Sequence, residues 1–278
     1  MWIFLSLLSA IAFSAVWLLV RASRGIPSSI VTAAQYSLGP VLLLLTVPHT
    51  ALPWNEPIWY VFLCINVLIV PIASWTMVLA SHRVPITVSN PLLGLSSVAS
   101  LITAALFFHG TFTVLGVIGI LTTTFGLFIL YHGRWTIWRT RYPWMVLVIV
   151  ILYGINGTIG HRLLQIFPHP FLLGGIFLSS SFVVPLRQAV RRARGMQWSR
   201  DVLFLLFALA IAMLAQDIAT LLAFQLAPAP YVLSIKRMSV LFSMLGGYFL
   251  FREREASLKR LVLATIVVLA GVALMTVA

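Results

Sequence analysis

Lys236 and Arg237 stand side by side in VLSIKRMSVLF, an apolar run that continues through GGYFLF to Phe251. Two such cations can grip a carboxylate or a phosphate, Arg as a planar fork and Lys as a point charge. An ionised side chain in hydrocarbon is costly, so it normally faces a partner or a water-filled cavity. Asp217, in LAQDIAT, is the acid best placed to be that partner. The chain turns near Ala227, with Asp217 ten residues before the turn and Arg237 ten after it, so an antiparallel hairpin puts them at one depth. The predicted site has one cation held by Asp217, with Gln216 beside it, and the other facing a cavity that binds an anion. Two structural readings compete with it. One is an internal ion pair and nothing more. The other is snorkelling, in which both stems bend back to the headgroups. Lys236 is about seven residues into its run, roughly 10 Å deep at 1.5 Å per residue, and adjacent side chains diverge by about 100°. That geometry strains a snorkelling reach for both at once.

Other polar residues inside apolar runs extend the candidate site. Arg21, His161 and Arg162 could form a second cationic patch, with interfacial anchoring as the plainer reading. Asn90 precedes Pro91, which interrupts the helical hydrogen-bond ladder, so it heads the uncharged candidates, followed by Gln35, Asn66 and Asn156. Each of these also suits an ordinary helix–helix hydrogen bond. Gly154, Gly157 and Gly160 recur every third residue, which fits either close helix packing or a moving face. Glu253, in RERE, reads as a loop cap or ion-pair partner.

The elements that must position these residues follow from composition. The chain has 278 residues, 61% hydrophobic and 8% charged, against about 25% charged in soluble domains. Lipid is therefore the solvent for most of the chain. Runs of about 20 apolar residues each suffice to cross a bilayer. Cutting at charges and turn residues gives ten spans at 2–20, 28–47, 57–80, 86–108, 112–131, 143–164, 169–186, 201–224, 229–251 and 258–277. Strand-like alternation is absent, so the predicted fold is an all-α membrane protein of ten transmembrane helices. Pro27, Pro85, Pro143, Pro168 and Pro228 stand at or near helix starts, where a missing N–H does little harm. The N-terminal run lacks the basic segment of a signal peptide and is kept as the first span.

The net charge of +13 comes as short clusters between apolar runs, a pattern suited to anionic lipid headgroups at the Arg-rich loops rather than to nucleic acid. The loops after odd-numbered spans carry Arg24, Arg83, Arg134, Arg139, Arg141, Arg187, Arg191, Arg192, Arg194, Arg200, Arg252, Arg254, Lys259 and Arg260. The loops after spans two, four and eight carry no Lys or Arg. Lys and Arg accumulate on the cytoplasmic side. Both termini are therefore predicted to be extracytoplasmic, in a multi-pass protein of the cell (inner) membrane. Cys64 is the only cysteine. No metal-ligand spacing, phosphate loop or nucleophile turn is present, so no cofactor, metal or enzyme activity is predicted.

The halves resemble each other. VRASRGIP (20–27) lies over HRLLQIFP (161–168), matching Arg21 to Arg162 and Pro27 to Pro168 at an offset of 141. Pro85 matches Pro228, and LFFHG (106–110) matches FLFRE (249–253), at an offset of 143. Residues 1–133 and 134–278 thus read as five-span units. An odd span number inverts the second copy, the inverted-repeat plan of secondary transporters with a binding site near the midplane.

The stretch SIKRMSVLFSMLGGYFLFREREASLKRLVLATIVVLAGVAL (234–274) resembles the last two helices of the EamA family, within the drug/metabolite transporter superfamily. The first half carries a looser copy in LLGLSSVASLITAALFFHG and LGVIGILTTTFG, with Gly110 where that family usually has its acid. The resemblance implies a ten-helix bundle moving a small metabolite. Distantly related plastid sugar-phosphate translocators carry a Lys-Arg pair in their ninth helix that grips substrate phosphate, and Lys236–Arg237 is similarly placed. Members of the family place both termini in the cytoplasm, opposite to the orientation the loop charges give. The expected function is transport of a small, anionic organic substrate by alternating access. The alternative is a lipid-phosphate flippase on the same scaffold. A homodimer is left open.

Overall fold

The computed structural model describes residues 1–50, 53, 55–83, 92–110, 112–130, 142–250 and 258–277. Among them no strand occurs, and the fold is all-α. The helices are α1 (Trp2–Ala22), α2 (Ser28–Tyr36), α3 (Leu38–Thr46), α4 (Pro57–Arg83), α5 (Leu95–Phe108) and α6 (Val114–Leu130). They continue with α7 (Tyr142–Ile166), α8 (Pro170–Ala193), α9 (Arg200–Phe224), α10 (Ala229–Lys236), α11 (Ser239–Leu250) and α12 (Leu258–Val277). Seven stretches are helices long and apolar enough to cross a membrane, with α2–α3 acting as one, and α5 and α6 are shorter apolar helices. The protein is a multi-pass membrane protein by this criterion. Phe4, Leu44, Leu68, Phe107, Phe125, Phe204 and Phe249 point outward and exposed, which is the surface a lipid solvent requires.

Each predicted span has a helix, with four differences of detail. The seventh runs on to Ala193, because Pro185 and the Arg cluster that marked its expected end lie within α8. The second is broken at Ser37 into α2 and α3. Pro40 has no N–H to give the Tyr36 carbonyl, so the ladder lapses one turn earlier. The ninth is broken between α10 and α11, with no Pro or Gly at the break. There the Arg237 N–H reaches both Leu233 O and Ser234 O, and Met238 N donates to Ile235 O at 2.9 Å, tightening the turn to three-residue bonds.

The fourth span also breaks. Leu92 and Leu93 are helical, Gly94 is a turn, and α5 starts at Leu95. Gly94 and Arg237 are 143 positions apart, the offset that matches Pro85 to Pro228. The packing has the same regularity. Span one packs on eight as six packs on three, and one on nine as six on four. Two packs on eight as seven packs on three, while two meets seven, five meets ten and four meets nine. Exchanging each span for the one five places on leaves these pairings unchanged.

Small residues make the closest of these contacts. Along α6 and α12, a Cβ added at Gly119 would lie 2.8 Å from Gly271 O, and one added at Gly126 would lie 2.8 Å from Val268 Cγ2. Close backbone approach replaces the hydrophobic drive that lipid cannot supply.

Candidate functional site

The breaks put polar groups into a chamber between the helices. About 700 Å³ of space free of protein atoms lies there, bordered by α1, α2, α4, α7, α8, α9 and α10. Lys236 is the last residue of α10 and Arg237 its C-cap. Both cations therefore stand at the negative end of a half-helix dipole, where a positive charge is stabilised. Both side chains line the chamber. Lys236 is 8% exposed and Arg237 2%, so neither snorkels. They are buried in protein.

Each cation has its own seat. Lys236 Nζ donates to Thr220 Oγ1 at 3.0 Å. Thr220 is held by α1 and its own helix, through Ser9 Oγ at 2.7 Å and Gln216 O at 2.7 Å. Arg237 Nε donates to Ser96 Oγ at 2.8 Å, across to the broken fourth span. The Phe13 ring serves both, with Lys236 Nζ 5.1 Å and Arg237 Cζ 5.8 Å from its centroid. Tyr153 lies 6.0 Å from Arg237 Cζ. Aromatic faces replace part of the lost hydration of a buried cation. Arg237 Nη1 is buried without a hydrogen-bond partner. Gln216 Oε1 and Asn156 Oδ1, on the same lining, are likewise unpartnered.

The predicted residues fare differently. Lys236, Arg237, Asp217 and Gln216 are brought together on the chamber. The expected contact of Asp217 with one of the cations is not made as a hydrogen bond: Lys236 donates to Thr220, Arg237 donates to Ser96, and Asp217 accepts from the Gln216 amide. The hairpin brings all three charged groups to one chamber, where each cation's donor meets a hydroxyl. Of the three glycines on α7, Gly157 and Gly160 face the chamber while Gly154 packs against Ala99 and Ser100. Asn66 donates to Asn156 O at 3.4 Å, and Gln35 donates to Met213 Sδ at 3.3 Å. Asn90, with Pro85 and Glu253, lies outside the described residues.

Arg21 and Arg162 are not brought together. Helices α1 and α9 run antiparallel: Ser9 meets Thr220, while Val20 shares a buried cluster with Leu206. Arg21 thus lies near the start of α9. Arg162 lies beyond its end, on a separate outer cavity of about 790 Å³ that also holds His161, Gln165 and Pro228. The two arginines thus lie toward opposite ends of α9, and the expected joint patch dissolves. In the outer cavity His161 Nδ1 bonds Phe224 O at 2.7 Å, and Gln165 bridges His161 Nε2 at 3.0 Å to Arg162 Nη1 at 2.9 Å. An amide N–H donating to Nε2 leaves the ring proton on Nδ1, so His161 is read as neutral from this network. Phe224 lines the central chamber, and its ring packs edge-on against His161 at 6.3 Å. One aromatic residue thus stands between the two cavities.

Sequence reasoning missed Phe13, Tyr36, Tyr153, Ser96 and Thr220. Aromatic and hydroxyl residues are common in any membrane helix, and only the helix rotations mark these five.

No family model matches the chain, and no curated protein matches it. Among solved structures it is similar to one titled only "Crystal structure of protein", at 14% identity over 97% of this chain and 96% of that one, with a TM-score of 0.73. At that identity the likeness shows the fold alone, and the fold is one already seen in solved structures.

Proposed function

We propose that this protein is a secondary transporter that moves a small organic anion by alternating access, as a member of the EamA family of the drug/metabolite transporter superfamily. One observation carries the reading: Arg237, 2% exposed, keeps Nη1 unpartnered on a chamber it shares with Lys236. Leaving a buried charge incompletely compensated costs several kcal/mol, so an entering carboxylate or phosphate stabilises the arrangement. The exchange-invariant packing and the matched breaks at Gly94 and Arg237 support reading residues 1–133 and 134–278 as inverted repeats. Broken helices at a midplane site are the usual means by which such repeats bind substrate. The exposed Arg187, Arg191, Arg192 and Arg194 at the end of α8 suit the anionic cytoplasmic leaflet. On this reading both termini lie outside the cytoplasm.

The test is uptake by proteoliposomes from a pooled metabolite mixture, with depletion read by mass spectrometry. Wild-type vesicles should accumulate one or a few anions. Arg237→Ala and Lys236→Ala should each reduce that uptake by at least about tenfold, the scale of one lost charge-assisted hydrogen bond, while the protein still melts cooperatively. Wild-type uptake by both variants removes the cations from the site. Turnover of a substrate in detergent, without vesicles, would replace the transporter by an enzyme.

A further inference from the structure

The charges facing the chamber are few enough to count. Among the described lining residues only Lys236, Arg237 and Asp217 carry a formal charge. Tyr36 and Tyr153 are the other titratable groups there, and a phenol is uncharged at neutral pH. The tally is one net positive charge. It holds with both cations protonated and Asp217 ionised, and equally with one proton passed from Lys236 to Asp217, because that transfer removes a charge of each sign.

We propose that the chamber selects monoanions, carboxylates or phosphodiesters, over dianions, and that Asp217 sets this preference. The inference rests on the anion-transporter reading of the same chamber and narrows its substrate class. A monoanion brings the buried charge to zero. A neutral solute leaves one positive charge uncompensated, and a dianion leaves one negative charge in its place, each with the desolvation penalty of a lone buried ion. Geometry supports the same division. Arg237 Nη1 is a buried cationic donor on the lining without a hydrogen-bond partner, while Lys236 Nζ already donates to Thr220. A first anionic group takes Nη1. A second would share the chamber with the Asp217 carboxylate, which accepts from the Gln216 amide. A like charge placed against an undesired ligand is a standard route to specificity.

Matched pairs of ligands that differ by one charge test this on the purified full chain in detergent. Succinate is compared with its monoamide, and phenyl phosphate with its methyl ester, each titrated at pH 7.5 with thermal melting as the readout. In wild-type protein the monoanion of at least one pair should bind on the order of tenfold more tightly than its dianion. The pair that responds says whether the chamber prefers carboxylate or phosphodiester. Asp217→Asn raises the tally to two positive charges, and the order within that pair should reverse. Lys236→Gln lowers it to zero, and monoanion affinity should fall about tenfold, which supplies an independent reading where the Asp217 variant does not fold. Tighter dianion binding by wild-type protein overturns the inference alone. So does an unreversed order in folded Asp217→Asn, or undiminished monoanion affinity in Lys236→Gln. Failure of all four ligands to bind wild-type protein overturns the anion reading of the chamber, and this inference with it.

Discussion

Arg237 Nε donates to Ser96 Oγ at 2.8 Å, tying the break in the ninth span to the break in the fourth. Ser96 is wholly buried two residues after the Gly94 turn. The bond fixes where the unpartnered Nη1 sits, and it joins the two halves at the chamber.

Ser96→Ala therefore should weaken anion binding without removing a charge. A hydrogen bond to a charged group is worth about 1.5–3 kcal/mol, so affinity should drop by roughly tenfold or more, while Ser96→Thr, which keeps the hydroxyl, should lose little. Titration of the responding anion against both variants checks this. Equal affinities for Ser96→Ala and wild-type protein would show that the contact does not position Arg237.

Phe13→Leu keeps an apolar side chain but removes the ring shared by both cations. Cation–π contacts are worth about 0.5–2 kcal/mol each. With Lys236 Nζ and Arg237 Cζ both within 6 Å of that ring, melting should fall by several degrees and anion affinity should weaken. Phe13→Tyr should retain both. A Leu variant as stable as wild type would reduce Phe13 to simple packing.

The glycines of α7 should separate by position. A Cβ at Gly154 would lie 2.6 Å from Ala99 Cβ and 2.9 Å from Ser100 N, whereas one at Gly160 finds its nearest neighbour, in Phe177, at 3.7 Å. Gly154→Ala is then an overpacking change, which costs about 1–3 kcal/mol. Gly160→Ala fits, and its expected effect is on uptake rate, because it narrows the chamber beside Phe177 and Phe224. Melting curves and vesicle uptake on the two variants separate the cases, and equal destabilisation would contradict the assignment.

The α6–α12 seam should tolerate no side chain at its centre. At Gly271 an added Cβ would sit 2.7 Å from Gly119 O, and backbone cannot swing aside as a side-chain tip can. Gly271→Val should lower the melting temperature more than Val272→Ala next to it. Comparable losses would mean the seam is looser than it looks.

A reporter fused after Ala278 should register on the extracytoplasmic side. The loop charges predict this orientation through the excess of Lys and Arg after odd-numbered spans. A cytoplasmic signal would reverse the orientation.

Much of the fold could be read from residue order alone. Apolar run length defines spans, since lipid leaves helices as the economical way to satisfy the backbone. The offset of 143 between Pro85 and Pro228 also separates Gly94 from Arg237, and spans four and nine pack on each other. Local rules erred where a local signal was overridden. Pro185 and the Arg cluster looked like a helix end, yet α8 continues because buried neighbours on other helices hold it. The break at Arg237 had no Pro or Gly to announce it.

For the site, the chain by itself determined that charge is buried: Lys236, Arg237 and Asp217 interrupt apolar runs that cannot leave them in lipid. Only the tertiary structure decided what each one faces. Which hydroxyl captures Lys236, which ring lies between the cations, and which guanidinium nitrogen stays open depend on the rotation of helices about their axes. Rotation is set by packing between segments more than 200 residues apart, such as Ser9 against Thr220. It has no counterpart in any short window of the chain, so Arg21 and Arg162 look alike in sequence and end on opposite sides of the molecule.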